Sequence, residues 1–309
     1  MPVSIVRYEM SVKVSNNQDP YIINKNLGAP LQIDAGDLPG KNADGQAVIE
    51  LTVEQKYAFD TRGWLLIPEV LGGSELEEMQ DFCHRLHHDP ESIPEHERTT
   101  LGGPVQKLLD HPVVVGLLNE FTAYPALSSQ ECYGFSLEGS HLFYRALGMG
   151  GFGAHNGNGL YRLPGDVHYY DAFPGKAYSP HTRVVWELNP VKKGQGGTLL
   201  VPGSHKSVYT APDEIQDPDS DIWTTYGCPA GSVIFFTEAL THSGTPWTNT
   251  ENDRLAIFNL YSPVDSGFAR RLKPHPDLLE SMPAMRRTLF RGRHIVDNVI
   301  GSDYRRLYS

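Results

Sequence analysis

Histidine and arginine are the residues whose placement in this 309-residue chain could do chemistry. His242 follows "GSVIFFTEAL", an apolar run of strand length, and precedes "SGTPW". A histidine at a strand end beside small residues can point into the mouth of a barrel, where neutral imidazole is a good metal ligand. Arg254 opens the next apolar run, "RLAIFNLY". A guanidinium entering a buried strand is costly without an anion beside it. Its planar fork suits a bidentate grip on a carboxylate. A metal and an organic acid held side by side is the chemistry that this pair suggests.

The other histidines divide by context. His84, His87 and His88 fall at spacings of three and four, and the solvent-facing side of an amphipathic helix is their ordinary reading. His205 lies in the turn "VPGSHK" and suits a structural hydrogen bond as well as a ligand. His155, His168 and His181 precede that turn. The first sits in "GFGAHNGNG", and the residue two places on is Gly157, which has no side chain.

These residues need elements to position them. Thr52 and Gln55 predict a capping box and a helix, and Ser74 with Glu77 predicts a second box before "ELEEMQDFCHRLHHD". "VQKLLDHPVVVGLLNEFTA" predicts a third helical stretch, interrupted at Pro112. From about residue 130 the pattern changes to "HLFYRALGM", "TRVVWELNPV", "GTLLVPGSH", "GSVIFFTEAL" and "RLAIFNLYSP", separated by Gly, Pro, Asn and Asp. Strands gathered after helices predict a mainly β sandwich or barrel with flanking helices. Residues 1–50 read as an arm, loosely ordered, before one domain over 51–309. The Arg-rich tail with "MRRTLFRGRH" reads as helix, then loop, with a solvated face.

Bulk properties exclude some classes. Net charge is −11 with no basic stripe, which argues against nucleic acid. Three scattered cysteines with no CxxC pair argue against a zinc ribbon or disulfide framework. No signal-peptide core and no membrane-length apolar run is visible, so the expectation is a soluble, cytoplasmic protein. No HExxH cluster suggests a zinc hydrolase. Oligomeric state leaves no mark on the sequence.

"VEQKYAFDTRGWLLIPEVLGGSELEEM", "GQGGTLLVPGSHK" and "GSVIFFTEALTHSGTPWTNTENDRLAIFNLYSP" together resemble the phytanoyl-CoA dioxygenase family over about residues 52–264. The resemblance implies a double-stranded β-helix (jelly-roll, cupin-like) core. It implies an oxygenase that uses Fe(II), 2-oxoglutarate and O2 on a C–H bond of a small organic molecule. The family's later metal histidine matches His242, its 2-oxoglutarate arginine matches Arg254, and Ser243 stands where a small hydroxyl residue helps to hold the co-substrate. Its first motif is His-x-Asp. His155, His168 and His181 lie 87, 74 and 61 residues before His242. The longest separation leaves room for the intervening strands and resembles the family's, so His155 is taken as the first ligand.

Gly157 then occupies the carboxylate position. Iron/2-oxoglutarate halogenases have Gly or Ala there, and the resemblance implies a place for chloride or bromide. Asp166 or Asp171 completing the metal shell is a competing expectation, and a non-catalytic jelly-roll binding protein is another. Phe143, Tyr144, Tyr161 and Trp186 are candidates for the pocket wall, with core packing the more ordinary role of each.

Overall fold

The computed structural model describes residues 38–156, 168–264, 267 and 272–291, all within one compact unit over 33–309. Gly157, Tyr161 and Asp166 lie outside the described residues, as do 1–37 of the expected arm. Residues 38–50 are tied to the body. Asn119 Nδ2 donates to Pro39 O, and Ile49 N donates to Pro112 O.

Helix α1 spans Val53–Arg62, with the Thr52/Gln55 capping box formed and Gly63 closing it at φ 78°. Strand β1 (Trp64–Ile67) follows, then α2 (Gly73–His88). The second capping box does not form. Gly72 is the N-cap and no side chain caps the helix, because α2 starts early enough to take Ser74 into its first turn. Pro112 does interrupt the third stretch. A 3-10 turn over Gly103–Asp110 ends before it, and Pro112 then begins α3 (Pro112–Phe121), where its missing N–H costs nothing.

The strands are β2 (Phe135–Arg145), β3 (Asp171–Phe173), β4 (Lys176–Tyr178), β5 (Thr182–Glu187), β6 (Leu199–Leu200), β7 (Ser232–Thr237), β8 (His242–Ser243) and β9 (Arg254–Pro263). The large antiparallel sheet has the order β1-β7-β5-β9-β2. A smaller sheet pairs β6 with β8 and is widened by bridges His155↔His242 and Leu200↔Thr224. Two sheets enclosing an apolar interior form the jelly roll.

Alternation assigns the faces of the large sheet. Val184, Trp186, Val233, Phe235, Leu255 and Ile257 pack in the core shared with the helices. Val185, Ile234, Phe236 and Ala256 pack in the second core, between the sheets, with Leu200. By the same alternation Arg183, Glu187 and Arg254 point between the sheets.

Strand β2 departs from simple alternation. Phe135 and Leu137 face the helices, yet Phe143 packs in the barrel core. The register shifts between Leu137 and Gly139, so Glu138 is an extra, bulged residue. One inserted residue exchanges the faces of everything beyond it. His141, Phe143 and Arg145 are thereby turned inward, and Arg145 lies directly opposite Arg254. Ser262 Oγ donates to Glu138 Oε1 at 2.9 Å, and His181 Nε2 lies 3.2 Å from Glu138 Oε2.

Helices α4 (Pro276–Ser281) and α5 (Ala284–Arg287) close the described chain. The expectation of a solvated tail fails at Arg286, which is buried. Its Nε donates to Asp110 Oδ1 at 2.8 Å and its Nη2 to Asp44 Oδ2 at 2.5 Å. An Arg-rich segment reads as surface in a sequence because its carboxylate partners lie far away in the chain. Among the described residues no helix is long and apolar enough to cross a membrane. All three cysteines are free.

Candidate active site

His155 and His242 form an antiparallel pair that exchanges both backbone hydrogen bonds, each at 3.1 Å. Residues paired in this way project from one face. The two imidazole rings lie 4.2 Å apart, centre to centre. Leu200, opposite His242 on β6, packs in the barrel core, so His242 points inward. His155 Nδ1 is 2.7 Å from Gly153 O, and His242 Nδ1 is 2.8 Å from Leu240 O. A carbonyl can only accept, so each Nδ1 carries a proton, and Nε2 is the atom left to serve as a ligand. Burial holds His242 down to about 4, so that ring is neutral near pH 7. Rings with Nδ1–H anchored on carbonyls are what a metal requires of its histidines, and the pair fits one.

A third ionisable group stands beside them. Glu238 Oε2 lies 4.0 Å from His242 Nε2. Arg183 Nε donates to Glu238 Oε1 at 2.6 Å, and Asn156 Nδ2 donates to Oε2 at 2.7 Å. Burial opposes charge on Glu238, but the Arg183 guanidinium foremost, then His242 and His181, holds its carboxyl down to about 2. Asn156 reaches it from a left-handed backbone conformation (φ 60°), which asparagine tolerates better than most residues. Among the described residues no group of three or more His, Cys, Asp or Glu is arranged to hold a metal.

Arg254 opens β9 and faces the interior. It is 1% exposed and over the face of Phe258, 5.4 Å from the ring centre. Its Nη2 donates to Glu187 Oε1 at 2.5 Å and its Nε to Oε2 at 3.3 Å. Tyr226 Oη donates to Glu187 Oε1 at 2.7 Å and accepts from Arg254 Nη2 at 3.1 Å. Nη1 donates to Gly196 O at 3.3 Å, which leaves one of its two hydrogens with no acceptor among the described residues. Burial works against the Arg254 charge, but Glu187 overrides it and raises the pKa.

The other sequence candidates fall elsewhere. Ser243 is on the face of β8 opposite His242, accepts from Gly153 N at 2.9 Å and donates to Gly244 O at 2.8 Å. It is not brought into the histidine pair. His181 lies 3.3 Å from His168 through Nδ1 and 3.2 Å from Glu138 through Nε2, beside the bulge. Asp171 is exposed on the β3–β4 hairpin. His205 is buried, with Nε2 3.0 Å from Asp60 O. His84, His87 and His88 gather around Tyr144 on the outer face, and Trp186 packs against His111 in the helix-side core. Of the three wall candidates among the described residues, Phe143 is the one that faces the interior, 4.3 Å from the Phe258 ring centre.

Sequence reasoning missed Arg145, Asn156, Arg183, Glu187, Tyr226 and Glu238. A signal existed for two of them. Glu187 and Glu238 each stand at or just after the end of an apolar run, where a carboxylate needs a partner as much as an arginine does.

The family model for phytanoyl-CoA dioxygenase (PhyH) matches residues 59–256, more than half of the chain. The chain belongs to the phytanoyl-CoA dioxygenase family. It is therefore a non-haem Fe(II)- and 2-oxoglutarate-dependent oxygenase, as the resemblance implied. Among curated proteins, the dioxygenase af480 of Aspergillus fumigatus is 29% identical over 79 residues. That match covers 26% of this chain and spans 25% of the relative's length. Among solved structures, HygX from Streptomyces hygroscopicus with nickel and 2-oxoglutarate bound is 24% identical. The match covers 74% of this chain and 94% of that one, with a TM-score of 0.57. EctD from S. alaskensis in its apoform is 17% identical, covering 79% and 87%, with a TM-score of 0.51. Both likenesses are of fold.

Proposed function

We propose that His155 and His242 hold the iron and that the enzyme oxidises a C–H bond of a small organic molecule, with hydroxylation as the outcome. The observation that carries this reading is the paired histidines, with both Nδ1 atoms anchored on carbonyls. HygX has been solved with nickel, 2-oxoglutarate and hygromycin B bound, which supports a small-molecule substrate here.

Iron(II), once loaded with 2-oxoglutarate and O2, supplies the oxidising chemistry. The chain's residues do the rest. Carbonyls of Gly153 and Leu240 fix the two rings and their protonation. Phe143, Phe236 and Phe258 make the space between the sheets apolar and exclude water from it. Arg254 offers its remaining Nη1 hydrogen to the far carboxylate of 2-oxoglutarate. Glu238, held ionised by Arg183 and Asn156, places a negative charge beside the histidines, which favours a cation there.

A second reading, halogenation, is supported by a specific observation. Both oxygens of Glu238 are already occupied by Arg183 and Asn156, and Gly157 has no side chain to offer. Chloride or bromide would then complete the metal shell.

Purified enzyme with Fe(II), 2-oxoglutarate and O2, with and without halide, tests both readings. Product mass from a responsive substrate distinguishes added oxygen from added halogen. Under the second reading, Gly157→Asp should abolish halogenation. A structure with a carboxylate oxygen on the metal would sink the halide reading. Unchanged iron affinity in His242→Ala would sink the assignment of the site.

A further inference from the structure

Charge around Arg254 does not balance. Arg145 and Arg254 face each other across β2 and β9, and both point between the sheets. One carboxylate, Glu187, serves them, and it is spent on Arg254 with two contacts. Arg145 donates from Nη1 to Thr245 O at 3.0 Å and lies 5.6 Å over the centre of the Phe143 ring. No carboxylate among the described residues pairs with it. A half-buried guanidinium beside a second arginine is an expensive arrangement unless an anion joins it. Burial first, then Arg254, lowers its pKa.

Glycines let the backbone come close to this group. A Cβ at Gly150 would lie 2.8 Å from Arg145 Nη1, and one at Gly244 would lie 3.2 Å from Nη2. Gly150 also has φ 99°, which side chains rarely adopt. Gly244 is two residues beyond His242. Two residues of extended chain span about 6.6 Å. That reach suits a short diacid with one end at the histidines and the other at the arginines.

We propose that Arg145 supplies the charge that binds the distal carboxylate of 2-oxoglutarate, while Arg254, neutralised by Glu187, supplies a hydrogen bond and a fixed wall. This deepens the proposed function and rests on it. Two arginines and one glutamate leave a single positive charge, and the distal carboxylate cancels it.

The test is calorimetric titration of the nickel-loaded full-length protein with 2-oxoglutarate and with 2-oxobutyrate, which lacks the distal carboxylate. Arg145→Gln should weaken 2-oxoglutarate about 10–100-fold and leave 2-oxobutyrate unchanged. Arg145→Lys should recover part of the loss, and it covers the case in which the glutamine variant folds poorly. Equal weakening of both keto acids would overturn the inference by making Arg145 merely structural. So would 2-oxoglutarate affinity in Arg145→Gln within about twofold of wild type. Wild-type protein that takes up neither keto acid would overturn the functional reading, and this inference with it.

Discussion

The molecule has two buried arginine centres, and they differ in how their charges balance. Arg286 joins the C-terminal helices to the body through Asp110 and Asp44, and Tyr133 Oη adds a hydrogen bond to Asp110 at 2.8 Å. Gln106 Oε1 accepts from Nη1 at 3.0 Å, so every nitrogen of Arg286 has a partner from its own chain. The Arg254 centre has one similarly buried carboxylate, Glu187, for two arginines that face each other across the sheet. Burial and an ion pair are common to both. Two carboxylates close the first centre, and the surplus positive charge of the second marks it as a place for an anion.

Substitutions can break this contrast. Arg254→Met should have the largest effect, because it leaves Glu187 buried and unpaired and removes the proposed 2-oxoglutarate contact. The expectation is a loss of about 3–5 kcal/mol in a denaturant melt, together with about 10–100-fold weaker 2-oxoglutarate binding. Arg286→Met should match the stability loss of about 3–5 kcal/mol and leave 2-oxoglutarate affinity of the folded protein unchanged. If that affinity falls too, the two centres are not independent. Arg254→Met with Glu187→Leu should return stability to within about 1 kcal/mol of wild type, since an apolar pair can replace a buried ion pair. Binding should stay weak, and recovered binding would show that Arg254 contributes nothing to the co-substrate.

Smaller effects test the edges. Asp44 is 32% exposed where Asp110 is fully buried, so Asp44→Asn should cost about 1 kcal/mol or less. Asp60, at the surface, gives the pH case. Burial pushes its carboxyl up, but Lys206 and Tyr170 outweigh this and hold it below the ordinary 3.8. Its stabilisation is complete above that value and is lost as pH falls through the lower folded value. Asp60→Asn should therefore flatten the acid limb of a pH–stability curve slightly and leave the neutral region less stable. A steeper acid limb would contradict the pairing.

What could be read from the sequence followed distance along the chain. Thr52 and Gln55 are three apart, and their capping box was legible because it is local. The β5, β7 and β9 runs were legible because alternation and turn residues are local too. His242 and Arg254 stood out as costly residues at strand ends. The partners of those residues were not legible. Glu187 meets Arg254 only through the β5–β9 register, and Arg183 meets Glu238 across the β5–β7 pair. Arg286 looked like surface because Asp110 and Asp44 lie 176 and 242 residues away. Gly157, the residue that distinguishes the two chemical outcomes, lies outside the described residues.

Arg145 was invisible for a further reason, which is the bulge at Glu138. Simple alternation from Phe135 would send Arg145 towards the helices and Tyr144 into the barrel. The bulge acts as a one-residue change of phase. Deleting Glu138 would remove the bulge and leave Gly139 still opposite Leu260, so Phe143 and Arg145 would keep their inward places. The extra residue is absorbed where it stands, and the strand beyond it holds its register with β9. A chamber of this kind can take an insertion into its wall without losing the charge that lines it.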